Sequence, residues 1–387
     1  MASTHVYAGT ARSMGATAGG IFRQAAGDYR WEHLTNGLPE DADVHAITVH
    51  PENLCLNKNM LKTRRLGSSG LEVSAIGLGC MSLSGVYGAS DDEAGIRLIH
   101  SAIELGVDHL DSSDMYGWGQ NEELLGRALK GRRDGIVIAS KFGQTRRPGG
   151  ANGVDGSPAY IAQACEASLK RLGVDVIDLY YQHRVDPAVP VEETVGAMAR
   201  LVEQGKVRYL GLCEARPERI RRAHATHPLA AVQSEFSLLY REEATETREL
   251  TRDLGIAFVA YAPLGRSLLT GTIPDFDNLA PGDTRGRHPR FSPQNFAKNR
   301  ELVEHVEAIA SEEGCTPAQL CLAWLLAQGS DVIPIPGTKQ IARLEENLGA
   351  LSVHLTPADV DRISAAIPIG AAAGTRYPEG GMRGVFI

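Results

Sequence analysis

From residue 60 onward the chain alternates between two apolar patterns. Short, nearly continuous runs rich in Val, Ile and Leu lie at 75–78, 107–110, 135–139, 176–181, 207–212, 229–232, 256–260 and 332–335. Runs of that length without polar alternation fit strands buried on both faces of a parallel sheet. Between them apolar residues recur at helical spacing. Ile96, Ile99 and Ile103 follow the acidic start Asp91-Asp92-Glu93 and precede a stop at Gly106, a pattern that predicts a capped helix. Ser157-Pro158, Thr316-Pro317 and Thr356-Pro357 each set a capping residue before a first-turn proline. Eight such units predict an α/β fold, a closed (β/α)8 TIM barrel, and a short N-terminal β-hairpin is expected ahead of its first strand. The alternative, an open doubly wound sheet, would need a strand–GxGxxG–helix unit, and Gly77-x-Gly79 is only a fragment of one.

Two of the strand-to-strand intervals are long, and their excess lies in loop-like sequence at 143–156 and 266–296. Both follow the C-terminal end of a strand, where barrels of this kind build their sites, so both are expected to cover a ligand. The basic clusters in these loops (Arg146, Arg147, Arg285, Arg287 and Arg290) read by default as solvated charges, with phosphate clamping as the alternative.

Polar residues collect at the predicted strand ends. They include Asp111 and Tyr116 after the second strand, Lys141 at the third, His183 after the fourth, and Cys213-Glu214 after the fifth. Gln233 follows the sixth, Tyr261-Ala262-Pro263-Leu264-Gly265 the seventh, and Pro336-Gly337-Thr338-Lys339 the eighth. A barrel brings these positions to one mouth. A tyrosine hydroxyl titrates near ~10 in water, too high for an efficient proton donor at neutral pH. A lysine ammonium beside it would lower that value, a carboxylate would hold the lysine charged, and a histidine could orient a carbonyl oxygen. Asp111, Tyr116, Lys141 and His183 therefore form a candidate tetrad for protonating an oxygen that gains negative charge. They need no metal, but they contain no electron source, so a cofactor must supply the hydride.

Composition narrows the function class. The chain has 387 residues, 43% apolar and 22% charged, with a formal charge of −8. That excludes general disorder and argues against nucleic-acid or polybasic membrane partners. No apolar run approaches the ~20 residues of a membrane span. None of the six cysteines (Cys55, Cys80, Cys165, Cys213, Cys315, Cys321) forms a C-x-x-C pair, and the first residues carry no signal-peptide h-region. A reduced, cytoplasmic protein is expected. A homo-oligomer is compatible with the sequence.

The run from Met60 to the C-terminus resembles the aldo-keto reductase family. The motifs that carry the resemblance are Gly77-Leu-Gly-Cys-Met81, Asp111-Ser-Ser-Asp-Met-Tyr-Gly117, Asn121-Glu-Glu-Leu-Leu-Gly126, Ser140-Lys-Phe-Gly143, Gln182-His183, Gly205-Lys-Val-Arg-Tyr-Leu-Gly-Leu212, Tyr261-Ala-Pro-Leu-Gly265 and Ile335-Pro-Gly-Thr-Lys339 with Arg343-x-x-Glu-Asn347. His183-Arg184 and Arg376-Tyr-Pro-Glu379 resemble the branch of pyridoxal reductase-like and perakine reductase-like enzymes.

The resemblance implies NADPH-dependent reduction of aldehydes or ketones to alcohols, with a small-molecule carbonyl substrate. Tyr116 would be the general acid, Lys141 would depress its pKa, Asp111 would pair with Lys141, and His183 would orient the carbonyl. The cofactor NADPH/NADP+ would lie against Gly79, Cys80, Met81, Cys213, Glu214, Gln233, Tyr261, Ala262, Pro263, Leu264, Gly265, Arg266, Gly337, Thr338, Lys339, Arg343, Glu346 and Asn347. Within that set Gln233 would bond the carboxamide and Tyr261 would stack on the nicotinamide. Thr338, Lys339 and Arg343 would grip the 2′-phosphate, which favours NADPH over NADH. Read from the residues alone, Tyr87 and Trp118 either line a substrate pocket or merely cover the barrel mouth. The chain departs from the pattern at Cys213-Glu214, where Ser-Asn is usual, at Ala262 for serine, and at Ser113 for the commoner alanine.

Residues 1–59 read differently, with short β-type runs at 5–8, 20–23 and 44–49 broken by Gly, Asp, Asn and Pro. Val6-Tyr-Ala-Gly-Thr10, Gly20-Ile-Phe-Arg23, Tyr29-Arg-Trp-Glu-His-Leu34 and Ala46-Ile-Thr-Val-His-Pro51 resemble one BNR-like, sialidase-type propeller repeat. One blade cannot bury its own face. The segment is expected to be a fusion remnant or a misplaced start ahead of a 60–387 barrel, the rival being an appendage that pairs with a partner's sheet edge. Two rival functions remain for the barrel. One is a cofactor-holding subunit resembling channel β-subunits, which the complete tetrad disfavours. The other is an isomerase or aldolase barrel, which the Thr338–Asn347 segment disfavours.

Overall fold

The computed structural model describes residues 61–146, 152–273 and 279–387, together with three strands in the first sixty residues. The chain divides into two units, Met1–Met60 and Leu61–Ile387. In the first unit His5–Thr10, Gly20–Ala25 and Glu32–Leu34 form an antiparallel sheet in that order. The run at 44–49 lies outside the described residues, as do Cys55 and Arg147.

The second unit is built on eight parallel strands: β1 (Leu78–Gly79), β2 (His109–Asp111), β3 (Val137–Phe142), β4 (Ile177–Gln182), β5 (Val207–Cys213), β6 (Leu229–Glu235), β7 (Ala257–Tyr261) and β8 (Val332–Pro334). Each pairs with its neighbours in sequence order. The sheet closes on itself, because Gly77 N–H donates to Pro334 O at 3.0 Å and Gly79 N–H to Pro336 O at 3.2 Å. The fold is the expected (β/α)8 barrel.

β1 is displaced from the sequence expectation. The apolar run at 75–78 is buried, but Ala75 N–H bonds Lys62 O, so its start belongs to the base of the barrel and only Leu78–Gly79 pairs with β2. That base is a hairpin, Thr63–Arg65 with Glu72–Ser74. Its turn docks at Gly67, where a Cβ would lie 2.5 Å from Gly255 O and 2.8 Å from Ala230 O. Only glycine permits that approach at φ 59°. Leu66 and Val73 thereby plug the barrel interior beneath Val137, Ala139, Leu179, Val259 and Ile333. Higher in the interior Tyr181 occupies the space that a Cβ at Gly211 would take, 2.5 Å away.

Helices cover the outside: α1 (Asp92–Glu104), α2 (Gln120–Leu129), α3 (Pro158–Leu172), α4 (Val191–Glu203), α5 (Pro217–Thr226) and α6 (Glu242–Asp253), then α7 (Pro293–Glu312) and α8 (Pro317–Ala327) between β7 and β8, and α9 (Ile341–Gly349) and α10 (Pro357–Ala366) after it. The predicted caps form. Asp91 accepts from Ala94 N–H, Ser157 from Tyr160 N–H, and Thr316 with Gln319 and Thr356 with Asp359 make reciprocal capping boxes.

The two long loops carry more structure than their polar sequence indicates. Gln144–Arg146 and Asn152–Val154 pair as an antiparallel hairpin. The second loop contains short 3₁₀ turns and gives way to α7 at Pro293, before the expected boundary at Phe296. Among the described residues no helix is long and apolar enough to cross a membrane.

Candidate active site

The C-terminal ends of β2, β3 and β4 bring the tetrad together. Asp111 ends β2, Lys141 lies in β3, and His183 follows β4, with Lys141 fully buried and Asp111 almost so. The Lys141 ammonium donates to Asp111 Oδ1 at 2.5 Å, to Ser112 O at 2.7 Å and to Tyr116 Oη at 3.4 Å. Asp111 Oδ2 accepts from Gln233 Nε2 at 2.7 Å, so both of its carboxylate oxygens are engaged. The Tyr116 and His183 rings meet edge to face, 5.9 Å between centroids. Ser113 Oγ lies 3.0 Å from His183 Nδ1.

The electrostatics correct one expectation. Burial raises the Tyr116 phenol above its ordinary value, and the ammonium of Lys141 lowers it only in part. The proton therefore stays on the phenol oxygen. Burial pulls Lys141 down, but Asp111 and Tyr116 more than offset that and hold it charged. His183 is held well below its ordinary value by burial, then by Arg184 and Lys141, which makes it a neutral imidazole.

A second cluster lies across the mouth from the tetrad. The buried Glu214 carboxylate accepts from Arg376 (2.8 and 3.1 Å), from the Tyr261 hydroxyl (2.7 Å) and from Glu235 N–H (3.0 Å). Glu235 in turn holds Arg266 at 3.1 and 3.3 Å and Arg290 at 3.2 Å. Tyr377 Oη sits 3.1 Å from Tyr261 Oη, and the Arg266 guanidinium stacks 5.0 Å from the Tyr377 ring centroid.

This cluster alters several sequence readings. Glu214 and Arg266, expected at the cofactor, are committed to buried ion pairs. Of the loop cations, Arg290 is buried on Glu235 and Arg285 is paired with Asp283, so neither is a solvated charge. Arg287 is exposed. Arg376 was marked only by its motif, with no role attached, because its partners lie 133 and 162 residues away.

The remaining predicted residues form the rim. Gly79 ends β1 and Cys80 and Met81 follow it, opposite Gly337, whose Cβ would lie 2.8 Å from Gly79 O. Burial pushes the Cys80 and Cys213 thiols up to about 12, which suits inert packing residues. Ala262 and Arg266 take positive φ (48° and 58°) in the turn Ala262-Pro263-Leu264-Gly265-Arg266 after β7. Trp118, at φ 55°, is 38% exposed and carries the Arg146 guanidinium 4.3 Å from its ring centroid. Tyr87 is covered by Arg285 at 5.2 Å.

At the far side Lys339 donates to the carbonyls of Tyr87 (2.8 Å), Gly88 (3.4 Å) and Ala89 (3.0 Å). Thr338 Oγ1 bonds Gln340, Arg343 pairs with Glu346 at 2.6 Å, and Asn347 is buried. The N-terminus of α9 has no side-chain cap and no acidic residue in its first turn. Free N–H groups flanked by Lys339 and Arg343 suit an anion such as a phosphate. With the aromatic ring of Tyr261 at the end of β7, this donor set fits a nicotinamide dinucleotide.

The residues at the opposite end of the barrel show no such chemistry. An open groove of about 1350 Å³, lined by Asp134, Asp175, Asp178 and Arg208 among others, contains none of the strand-end residues.

Comparison with known proteins agrees with this geometry. The sequence model described as the Aldo/keto reductase family matches residues 75–368. A probable aldo-keto reductase 1 of Glycine max is 48% identical over 318 residues, covering 82% of this chain and 92% of the relative. Among solved structures, a glycerol dehydrogenase from Gluconobacter oxydans superposes with a TM-score of 0.72 at 28% identity, covering 79% of this chain and 97% of that one. An aldo-keto reductase from Bacillus halodurans, in its holo form, gives 0.67 at 30% identity, covering 81% and 98%. The chain belongs to the aldo/keto reductase family.

Proposed function

We propose that the protein reduces a small aldehyde or ketone to the alcohol with NADPH, and that Tyr116 is the general acid. Family membership carries nicotinamide-dependent carbonyl reduction. The observation that supports the finer reading is the buried Lys141, whose ammonium touches both Asp111 and the Tyr116 hydroxyl.

When bound, the nicotinamide supplies the hydride that these side chains lack. Tyr116 holds the proton at Oη and delivers it to the carbonyl oxygen as negative charge develops there. Lys141 stabilises the phenolate left behind, at a site where burial strengthens every charge interaction. Asp111 keeps Lys141 ionised and in place. Neutral His183 orients the carbonyl by hydrogen bonding. Tyr261 would face the nicotinamide, and Lys339 with Arg343 would hold the 2′-phosphate, which supports NADPH over NADH.

The test is a panel of carbonyl compounds, pyridoxal included, with NADPH and NADH side by side. Oxidation of NADPH by an aromatic aldehyde, abolished by Tyr116→Phe, is the expected result. Turnover that survives in Tyr116→Phe would remove the tyrosine from its role.

A further inference from the structure

Ser113 stands where the resembled family more often has alanine, and its hydroxyl is fully buried beside the tetrad. Ser113 Oγ accepts Met115 N–H at 3.3 Å, which leaves its own hydrogen free to donate. Two acceptors compete for that hydrogen: His183 Nδ1 at 3.0 Å and Asp114 Oδ1 at 3.4 Å. The shorter contact favours the histidine.

An imidazole that accepts at Nδ1 must carry its single hydrogen at Nε2. His183 Nε2 forms no hydrogen bond to any described residue, and His183 packs edge to face with Tyr116. Burial and the cations Arg184 and Lys141 keep the ring neutral, so one nitrogen must accept and the other donate. Without the Ser113 hydroxyl, buried Nδ1 has no other partner among the described residues, and the two tautomers become comparable.

We infer that Ser113 is a positioning residue: its hydroxyl fixes His183 as the Nε2–H tautomer, so that the imidazole donates to the same carbonyl oxygen that Tyr116 protonates. The catalytic consequence rests on the proposed function, whereas the tautomer itself does not. Losing one such hydrogen bond is expected to lower kcat/KM about 10-fold, the equivalent of ~1.4 kcal/mol. KM for NADPH stays unchanged, because Ser113 bonds the histidine and not the residues assigned to the cofactor.

The experiment is ¹⁵N NMR of the full chain labelled at histidine, with His183→Gln assigning the resonance, alongside steady-state kinetics. Wild-type protein should show a pyridine-type Nδ1 and a pyrrole-type Nε2 at His183. Ser113→Ala should show averaged or exchanged signals together with the drop in kcat/KM, and Ser113→Thr, which keeps the hydroxyl, should restore both. A wild-type His183 protonated at Nδ1 would overturn the inference. So would a Ser113→Ala protein with an unchanged tautomer. Should Ser113→Ala fail to fold, the wild-type tautomer and Ser113→Thr decide. A locked tautomer in a protein without reductase activity would sink the proposed function and leave the positioning role standing.

Discussion

Asp111→Asn keeps the shape of the side chain and removes one charge. In the native site both carboxylate oxygens accept, from Lys141 Nζ at 2.5 Å and from Gln233 Nε2 at 2.7 Å. The amide nitrogen of the variant must face one of these donors, so one hydrogen bond becomes a donor–donor contact. The larger effect is on Lys141, which is fully buried and loses its only ion-pair partner among the described residues. Removing one partner of a buried pair costs about 3–5 kcal/mol, because the remaining charge is left in a low dielectric.

For the Leu61–Ile387 unit, ~2.1 cal/mol/K of unfolding entropy per residue amounts to about 0.7 kcal/mol/K, which converts that cost to a drop in Tm of about 4–7 °C. Burial, no longer opposed by Asp111, lowers the pKa of Lys141, so less of it is charged at neutral pH and Tyr116 loses its phenolate stabiliser. Reductase activity should fall by about 10²–10⁴-fold, the usual contribution of general acid catalysis. Thermal unfolding and NADPH oxidation are measured for Asp111→Asn and for the double variant Asp111→Asn/Lys141→Met. The double variant should recover most of the lost Tm while remaining inactive, since it leaves no unpaired buried charge. If Asp111→Asn unfolds within 1 °C of wild type at full activity, the ion pair has no such role.

Lys339→Met should raise KM for NADPH about 10- to 100-fold and leave KM for NADH unchanged, as for loss of one charged hydrogen bond to a phosphate; equal effects on both cofactors would refute the 2′-phosphate assignment. Arg376→Met leaves Glu214 without its buried cation and should cost about 3–5 kcal/mol in stability, read from denaturant midpoints at constant m-value. Burial, followed by the charge of Glu122, raises the Asp114 carboxyl to about 7. Its contribution to stability is present below its unfolded value and is lost as pH rises through about 7, so Asp114→Asn should gain Tm over wild type between pH 4 and pH 8, and a pH-independent difference would contradict this. Deleting residues 1–59 should leave kcat and KM unchanged, because every residue assigned a role lies in 60–387.

What sequence pattern made visible here was local. A run of four to six apolar residues, or a Ser-Pro or Thr-Pro start, is set by the period of one element, and seven of the eight strands and the caps at Ser157, Thr316 and Thr356 formed where that period placed them. The tetrad was legible for a related reason: the barrel converts "end of strand" into "mouth of barrel" for every strand at once. Contacts set by side-chain reach between distant segments were not legible. Nothing near Glu214 announces Arg376, and nothing near Arg290 announces Glu235. The position of β1 was missed because Ala75 is buried by the basal hairpin rather than by the sheet. The pKa of Tyr116 was misjudged because a sequence shows the neighbouring lysine but not the depth of burial that outweighs it.

The contact between Arg376 and Glu214 also bears on the order in which the enzyme assembles. A chain is made from its N-terminus and its domains condense as they emerge, so Glu214, Glu235 and Tyr261 are in place well before Arg376 and Tyr377 exist. Until then Glu235 has Arg266 and Arg290 as counterions, but among the described residues Glu214 has no arginine bonded to it. The barrel can close first, with one acidic side of its mouth unpaired, and the tail arrives as a late clasp over a contact 162 residues long. Until Arg376 is made, the Glu214 side of the mouth is incomplete, although all eight strands already lie upstream of it.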